Sequence, residues 1–195
     1  MNVKAQRSEA TRTALVSAAR ELFSEHGYSR VGTEEIVKRA GVTRGALYHH
    51  FSGKEDLLRA VLHDLARELA EASATAALAE TDQWRQILAA VHAFLDACVD
   101  PAIQQIMMTD APSVLGWDEW REIDMQYGLG LVKASLENAM ETGLILRQPV
   151  APLAHLIVGA LDEAAMYISR AADAAEARRE MGASIERMLD GLRIR

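Results

Sequence analysis

Apolar residues return at intervals of three and four along almost the whole chain, and Gly or Pro breaks each run. No stretch alternates in the two-residue rhythm of a strand. Leu15, Ala18, Ala19, Leu22 and Phe23 form one such stripe and predict a helix over 9–26 ended by a left-handed Gly27. Thr33 is placed as the N-cap of a short helix over 34–40, which Gly41 stops. Thr43 then caps a second short helix from Arg44 to His50 or Phe51. Ser52-Gly-Lys-Glu55 has the spacing of a capping box and opens a long helix carrying Leu57, Leu58, Val61, Leu62, Leu65 and Leu69.

Further on, four or five more helices are predicted. One covers 83–99. Another starts at Pro101, runs through Ile103, Ile106 and Met107, and closes at Pro112. Trp117, Trp120, Asp124, Tyr127 and Leu131 keep a 3-4-3-4 spacing on the next. A helix over 153–171 follows the prolines at 149 and 152, and a last one is capped by Asp173, with Glu176 at its third position, and ends near Leu192. The expected fold is all-α with about nine helices.

Composition changes little in that picture. Half of the 195 residues are hydrophobic and 25% are charged, the balance of a globular chain. A single cysteine, Cys98, suits a reducing compartment. MNVKAQRSEATR has no apolar signal core, and the longest apolar stretch, near 156–161, is too short for a bilayer, so a soluble cytoplasmic protein with no membrane partner is expected. Charge is more telling. Residues 1–55 carry nine Lys and Arg against six Glu, a net +3, within a chain of net charge −7. A basic head on an acidic body points to a polyanion that meets only the head.

The head also contains the densest chemistry, GVTRGALYHHFSGKEDLL at 41–58. Adjacent His49 and His50 project about 100° apart on a helix and have no companion ligands, so they do not make a zinc pair. Ser52-Gly-Lys54 lacks the frame and the preceding strand of a phosphate-binding loop. Two short helices joined by Ala40-Gly41-Val42-Thr43 do fit a helix-turn-helix. There the second helix presents its first residues to base edges. Arg44 beside Gly45 and Ala46 suits that: one long donor, able to pair bidentately with guanine, next to residues that allow close approach. Tyr48, His49 and Lys54 supply donors for phosphates, while Leu47 and Phe51 turn inward. The alternative is an ordinary surface helix.

TEEIVKRAGVTRGALYHHFSGKEDLL resembles the DNA-binding signature of the TetR family of bacterial transcriptional regulators, GV-[ST]-x-[GP]-x-LYxHF-x-x-KxxLL, over about residues 9–60. Val37 departs from it, since many members carry alanine there. The rest of the chain is similar only in length and helical pattern. The resemblance implies an N-terminal three-helix helix-turn-helix domain over 1–55 and a C-terminal ligand-binding and dimerisation domain over 56–195. It implies a homodimer on a palindromic, double-stranded DNA operator, most simply a repressor, released by a small-molecule inducer, with no cofactor and no metal. By position it makes Thr33, Thr43, Tyr48, His49 and Lys54 phosphate contacts, and Arg44, Gly45 and Ala46 base contacts. Lys4 and Arg7 lie outside the matching segment, either in a basic arm on DNA or in a solvated tail.

In the body, small residues among large apolar ones mark a helix suited to close pairing with a second copy. Leu156, Gly159, Ala160, Ala164 and Ile168 are the candidates on one helix, and Ile185, Met188, Leu189 and Leu192 on the next; the alternative is that they form the protomer's own core. Phe94, Cys98, Met107 and Met108, with Trp117, Trp120, Met125 and Tyr127, are the pocket candidates, because apolar, aromatic and methionine side chains line ligand sites. Plain core is again the alternative. His92 and His155 are candidate polar anchors. Asp110, Asp162 and Glu163 show no paired geometry in the sequence, and no nucleophile has an assignable base, so an enzyme is not expected. Competing functional readings are a ligand-dependent activator and a helical enzyme or metal-binding protein.

Overall fold

The computed structural model describes residues 3–194, with side chains from residue 5. Among the described residues there are nine α-helices, one 3-10 turn, one π-helix and no strand. An isolated antiparallel bridge joins Ile145 and Arg193. The helices are α1 (Val3–His26), α2 (Thr33–Ala40), α3 (Arg44–His50), α4 (Lys54–Leu78), α5 (Gln83–Ala97), α6 (Ala111–Leu115), α7 (Trp117–Glu141), α8 (Val150–Arg170) and α9 (Ala174–Asp190). The 3-10 turn is Tyr28–Arg30 and the π-helix Ile103–Asp110.

Packing groups the chain into two compact units, Met1–Leu65 with Pro101–Trp120, and Ala66–Asp100 with Arg121–Arg195. The expected division at 55/56 is therefore not the packing division: the segment Pro101–Trp120 belongs with the head.

In the first unit α1 packs on α2, α3 and the π-helix. Leu15, Leu22, Phe23, Ile36 and Leu47 expose none of their surface there, and Phe51 and Val37 are buried beside them. Each large side chain so buried contributes about 1.5–3 kcal/mol of transfer free energy. Trp120 is also interior, and its indole N–H donates to the Met107 carbonyl at 2.8 Å. The second unit is built on α8, which packs against α9 and α5. Ala154, Ile157, Val158, Leu161, Ala165 and Ile168 form the buried face of α8. By length and composition alone α8 would pass as a membrane span, at a mean hydropathy of 1.2. The buried face against α5 and α9, and a buried Asp162 within it, account for that composition as a packed helix.

Several local expectations change. Helix α1 begins at Val3 rather than near residue 9, because nothing between them breaks a helix. Arg7 therefore sits exposed on α1, where its carbonyl accepts the Thr11 hydroxyl at 2.9 Å, while the Lys4 side chain lies outside the described residues. Gly27 has a positive φ of 76°, but its ψ of 151° extends the chain instead of coiling it left-handed. Gly41, at φ 67° and ψ 28°, is the left-handed cap. Thr33 is the first residue of α2, not its N-cap; that position is Gly32, whose carbonyl takes the Glu35 and Ile36 N–H groups. At the start of α4 the reach-back comes from Asp56, not Glu55, accepting from both the Ser52 N–H (3.0 Å) and hydroxyl (3.3 Å). Pro112 opens α6 instead of closing the preceding helix, since proline at the first turn gives up an N–H that had no partner anyway. Asp173 caps α9 as expected, taking the Glu176 N–H at 2.9 Å.

Candidate nucleic-acid interface

The turn before α3 is closed entirely by local groups. Gly41 donates to Lys38 O at 3.3 Å and Val42 to Val37 O at 3.0 Å, ending α2. Thr43 then stands extended, and its hydroxyl accepts the Ala46 N–H at 3.2 Å. Leu47 and Phe51, four apart, turn into the core and fix the roll of α3. The opposite face is left to Arg44, Gly45, Tyr48 and His49, all exposed.

Arg44 is 65% exposed, with Nη1 3.6 Å from Glu34 Oε1 and its guanidinium 5.6 Å from the centroid of the Tyr48 ring. A Cβ built on Gly45 would meet only the Thr43 hydroxyl, at 3.9 Å. Nothing inside the protein therefore requires glycine there, and glycine within a helix costs about 0.5–1 kcal/mol relative to alanine. The position leaves the backbone at the start of α3 open to solvent. Tyr48 is 48% exposed. His49 packs edge-on against His50 at 5.1 Å, and His50 lies 6.4 Å from Phe51. Among the described residues no group of three or more His, Cys, Asp or Glu is arranged to hold a metal.

Lys54 is placed differently from the expectation of a free phosphate donor. Its Nζ donates to the carbonyls of Tyr28 (2.8 Å) and Val31 (2.9 Å), and sits 4.0 Å from the Tyr28 ring centroid. The Tyr28 carbonyl also takes the Val31 N–H at 3.3 Å, and the ammonium adds a charged donor there while tying down the Val31 carbonyl just past the 3-10 turn. Burial lowers the Lys54 pKa, partly opposed by Asp110, whose carboxylate accepts the Tyr28 N–H at 2.8 Å. Thr33 is half-buried at the start of α2.

The pocket candidates do not form one cluster within either unit: Met107, Met108, Trp117 and Trp120 belong to the first, Phe94, Cys98, Met125 and Tyr127 to the second. Met107, Met108, Trp120 and Cys98 are buried, and Phe94, Met125 and Tyr127 half-buried. Trp117 is 53% exposed and stacks on Trp120 at 4.8 Å, so it covers core instead of lining an interior. Of the dimer candidates, Ala164, Ile168, Ile185 and Leu189 are buried within the protomer, where α8 and α9 meet, and are not free to contact a second copy. Gly159, Ala160 and Leu192 are partly open. Leu156 (72%) and Met188 (45%) are exposed, as is Tyr167, which the small-residue pattern did not single out. His92 is taken up by Glu186 and Arg178, and His155 is exposed.

A buried polar cluster in the second unit was only half visible in the sequence. Arg121 Nη1 pairs with Asp124 Oδ2 at 3.1 Å and also with Asp162. Burial, then the Asp124 charge, push the Asp162 carboxyl up to about 7 against the pull of Arg121. Burial likewise raises Asp124, and it pushes the Cys98 thiol up to about 12. The signal was a lone Asp on the apolar face of α8; its partners lie 38 and 41 residues away.

Residues 15–61 match the family model for bacterial regulatory proteins, tetR family, and residues 84–192 that for a tetracyclin repressor-like C-terminal domain. The transposon Tn10 TetC protein of Escherichia coli is 31% identical over 140 residues, 72% of this chain and 71% of that protein. The HTH-type transcriptional activator FasR of Mycolicibacterium smegmatis is 41% identical over 85 residues, 44% of this chain and 39% of that protein. A TetR-family transcriptional regulator from Pectobacterium atrosepticum superposes with a TM-score of 0.87 at 31% identity, covering 97% of each chain.

Proposed function

The chain belongs to the TetR family of DNA-binding transcriptional regulators, and from that premise we propose that it is a repressor, a homodimer that holds a palindromic operator and releases it when a small molecule enters the C-terminal domain. Residues 1–55 form the DNA-binding domain in this reading, and 56–195 the ligand-binding and dimerisation domain. The observation that carries it is the exposed start of α3: an exposed Arg44 guanidinium beside Gly45, where no side chain blocks close approach.

Arg44, with Gly45 and Ala46, reads base edges. Thr33, Thr43, Tyr48 and His49 contact phosphates. Lys54 chiefly holds the 3-10 turn and offers DNA only its remaining N–H. Two copies pair through the open faces of α8 and α9, around Leu156, Gly159, Ala160, Met188 and Leu192, which sets half-sites about 34–36 Å apart. An inducer releases DNA through its differential affinity for two dimer conformations. Ligand-dependent activation is the second reading, favoured by the FasR match.

The test is selection of a duplex from a random pool by the full-length dimer, followed by footprinting with and without candidate ligands. A two-fold symmetric footprint that Arg44→Ala abolishes, while the dimer mass is retained, is expected. An unaltered footprint in that variant would remove Arg44 from the interface.

A further inference from the structure

Arg44 has an acidic companion that docking alone does not explain. Glu34, in the first turn of α2, is 85% exposed and its Oε1 lies 3.6 Å from Arg44 Nη1. A carboxylate on the face that meets a polyanion weakens binding to every sequence unless it gains a partner there. The exposed ion pair contributes little to folding, and the helix-dipole benefit of an acid at this terminus is already available from Glu35.

A G·C pair offers that partner. Its major-groove edge presents the guanine N7 and O6 acceptors and then the cytosine N4 amino donor. O6 and N4 are hydrogen-bonded to each other, so they lie about 3 Å apart. A guanidinium fork with a carboxylate at its flank is the complement: two donors, then an acceptor, at matching separation. A T·A pair puts thymine O4 where guanine O6 stands but sets the thymine methyl in place of the N7 acceptor, so the guanidinium fork loses one of its two partners. The guanidinium also lies over the Tyr48 ring, 5.6 Å from its centroid, a second contact that limits its swing.

We propose that Glu34 and Arg44 together read one G·C base pair in each half-site, Arg44 donating to guanine O6 and N7 and Glu34 accepting from the cytosine N4 amino group. This rests on Arg44 being a base reader, as proposed above. Glu34 is then a specificity-determining residue whose charge penalises the two reversed pairs, C·G and A·T, which set a carbonyl acceptor at that place, while T·A is rejected by the acceptor that Arg44 loses.

The experiment uses the full-length protein and its selected operator with single-atom base changes: 7-deazaguanine, which lacks N7, and a pyrimidin-2-one nucleoside, which lacks the cytosine 4-amino group. Wild type is expected to lose about tenfold in affinity on the amino-less operator beyond any loss shown by Glu34→Ala. Comparing both proteins on one duplex cancels the weaker base pairing of the analogue. Equal losses for wild type and Glu34→Ala, with Arg44→Ala selectively blind to 7-deazaguanine, overturn the Glu34 assignment and leave the base reader standing. Full sensitivity of Arg44→Ala to 7-deazaguanine overturns both.

Discussion

Arg44 and Lys54 show how far a side chain's meaning depends on what its head group already touches. The Arg44 guanidinium has one loosely held counter-ion and an open approach over Gly45, so it is available to a ligand. Arg44→Ala should lower discrimination at one base pair by about 1–3 kcal/mol, read as the ratio of operator to mismatched affinity, without changing helix content. The Lys54 ammonium is committed to the Tyr28 and Val31 carbonyls. Lys54→Met keeps the stem and removes the charge, so the Val31 carbonyl loses its ammonium donor and the Tyr28 carbonyl is left with the Val31 N–H at 3.3 Å. The thermal midpoint should fall by about 5 °C, and a midpoint equal to wild type would return Lys54 to the role of a free phosphate donor. In sequence the two residues look equally available, because the partners of Lys54 lie 26 and 23 positions away.

At the scale of elements, what local chemistry decides is what sequence shows. The Gly41 stop, the Thr43 cap and the Asp173 cap all act within a few residues, and all were readable in advance. Their removal is correspondingly predictable: Gly41→Ala forces a side chain into φ 67° and should cost about 1–2 kcal/mol, and Thr43→Ala about 1 kcal/mol, both measured by urea unfolding at constant m. The Ile103–Asp110 π-helix was not readable. The apolar positions 103, 106 and 107 fit an α-helical period equally well, and the wider coil is set where the segment docks: α1 packs along it and Asp110 at its end takes the Tyr28 N–H. The stripes on α8 and α9 were ambiguous for a different reason. A helix with two apolar faces does not say which one meets its own chain, and here Ile168 and Leu189 took the interior while Leu156 and Met188 stayed outside.

For the whole molecule, two features govern behaviour in solution. The open apolar face of α8 leads to the expectation that Leu156→Glu yields single protomers by sedimentation and loses operator affinity, while the thermal transition of the protomer persists. The second feature is the Arg121–Asp124–Asp162 cluster. The folded Asp162 carboxyl stands near 7 against 3.8 for the ordinary group, so the folded form holds a proton that the unfolded chain has lost anywhere between. Its contribution to stability is fully present below the lower value and is lost as pH rises through the upper one. Asp162→Asn should flatten the pH dependence of the unfolding free energy between pH 4 and 8; an unchanged profile would assign that dependence to other groups.

The same buried carboxyl makes unfolding a chemical event as well as a mechanical one. Near pH 6 the chain must hand about one proton to its surroundings as the cluster opens. The heat of melting then includes the heat of ionising that acid and of protonating whichever buffer receives it. A calorimeter should accordingly report different unfolding enthalpies for this protein in phosphate and in imidazole at one pH, and a smaller difference for the asparagine variant.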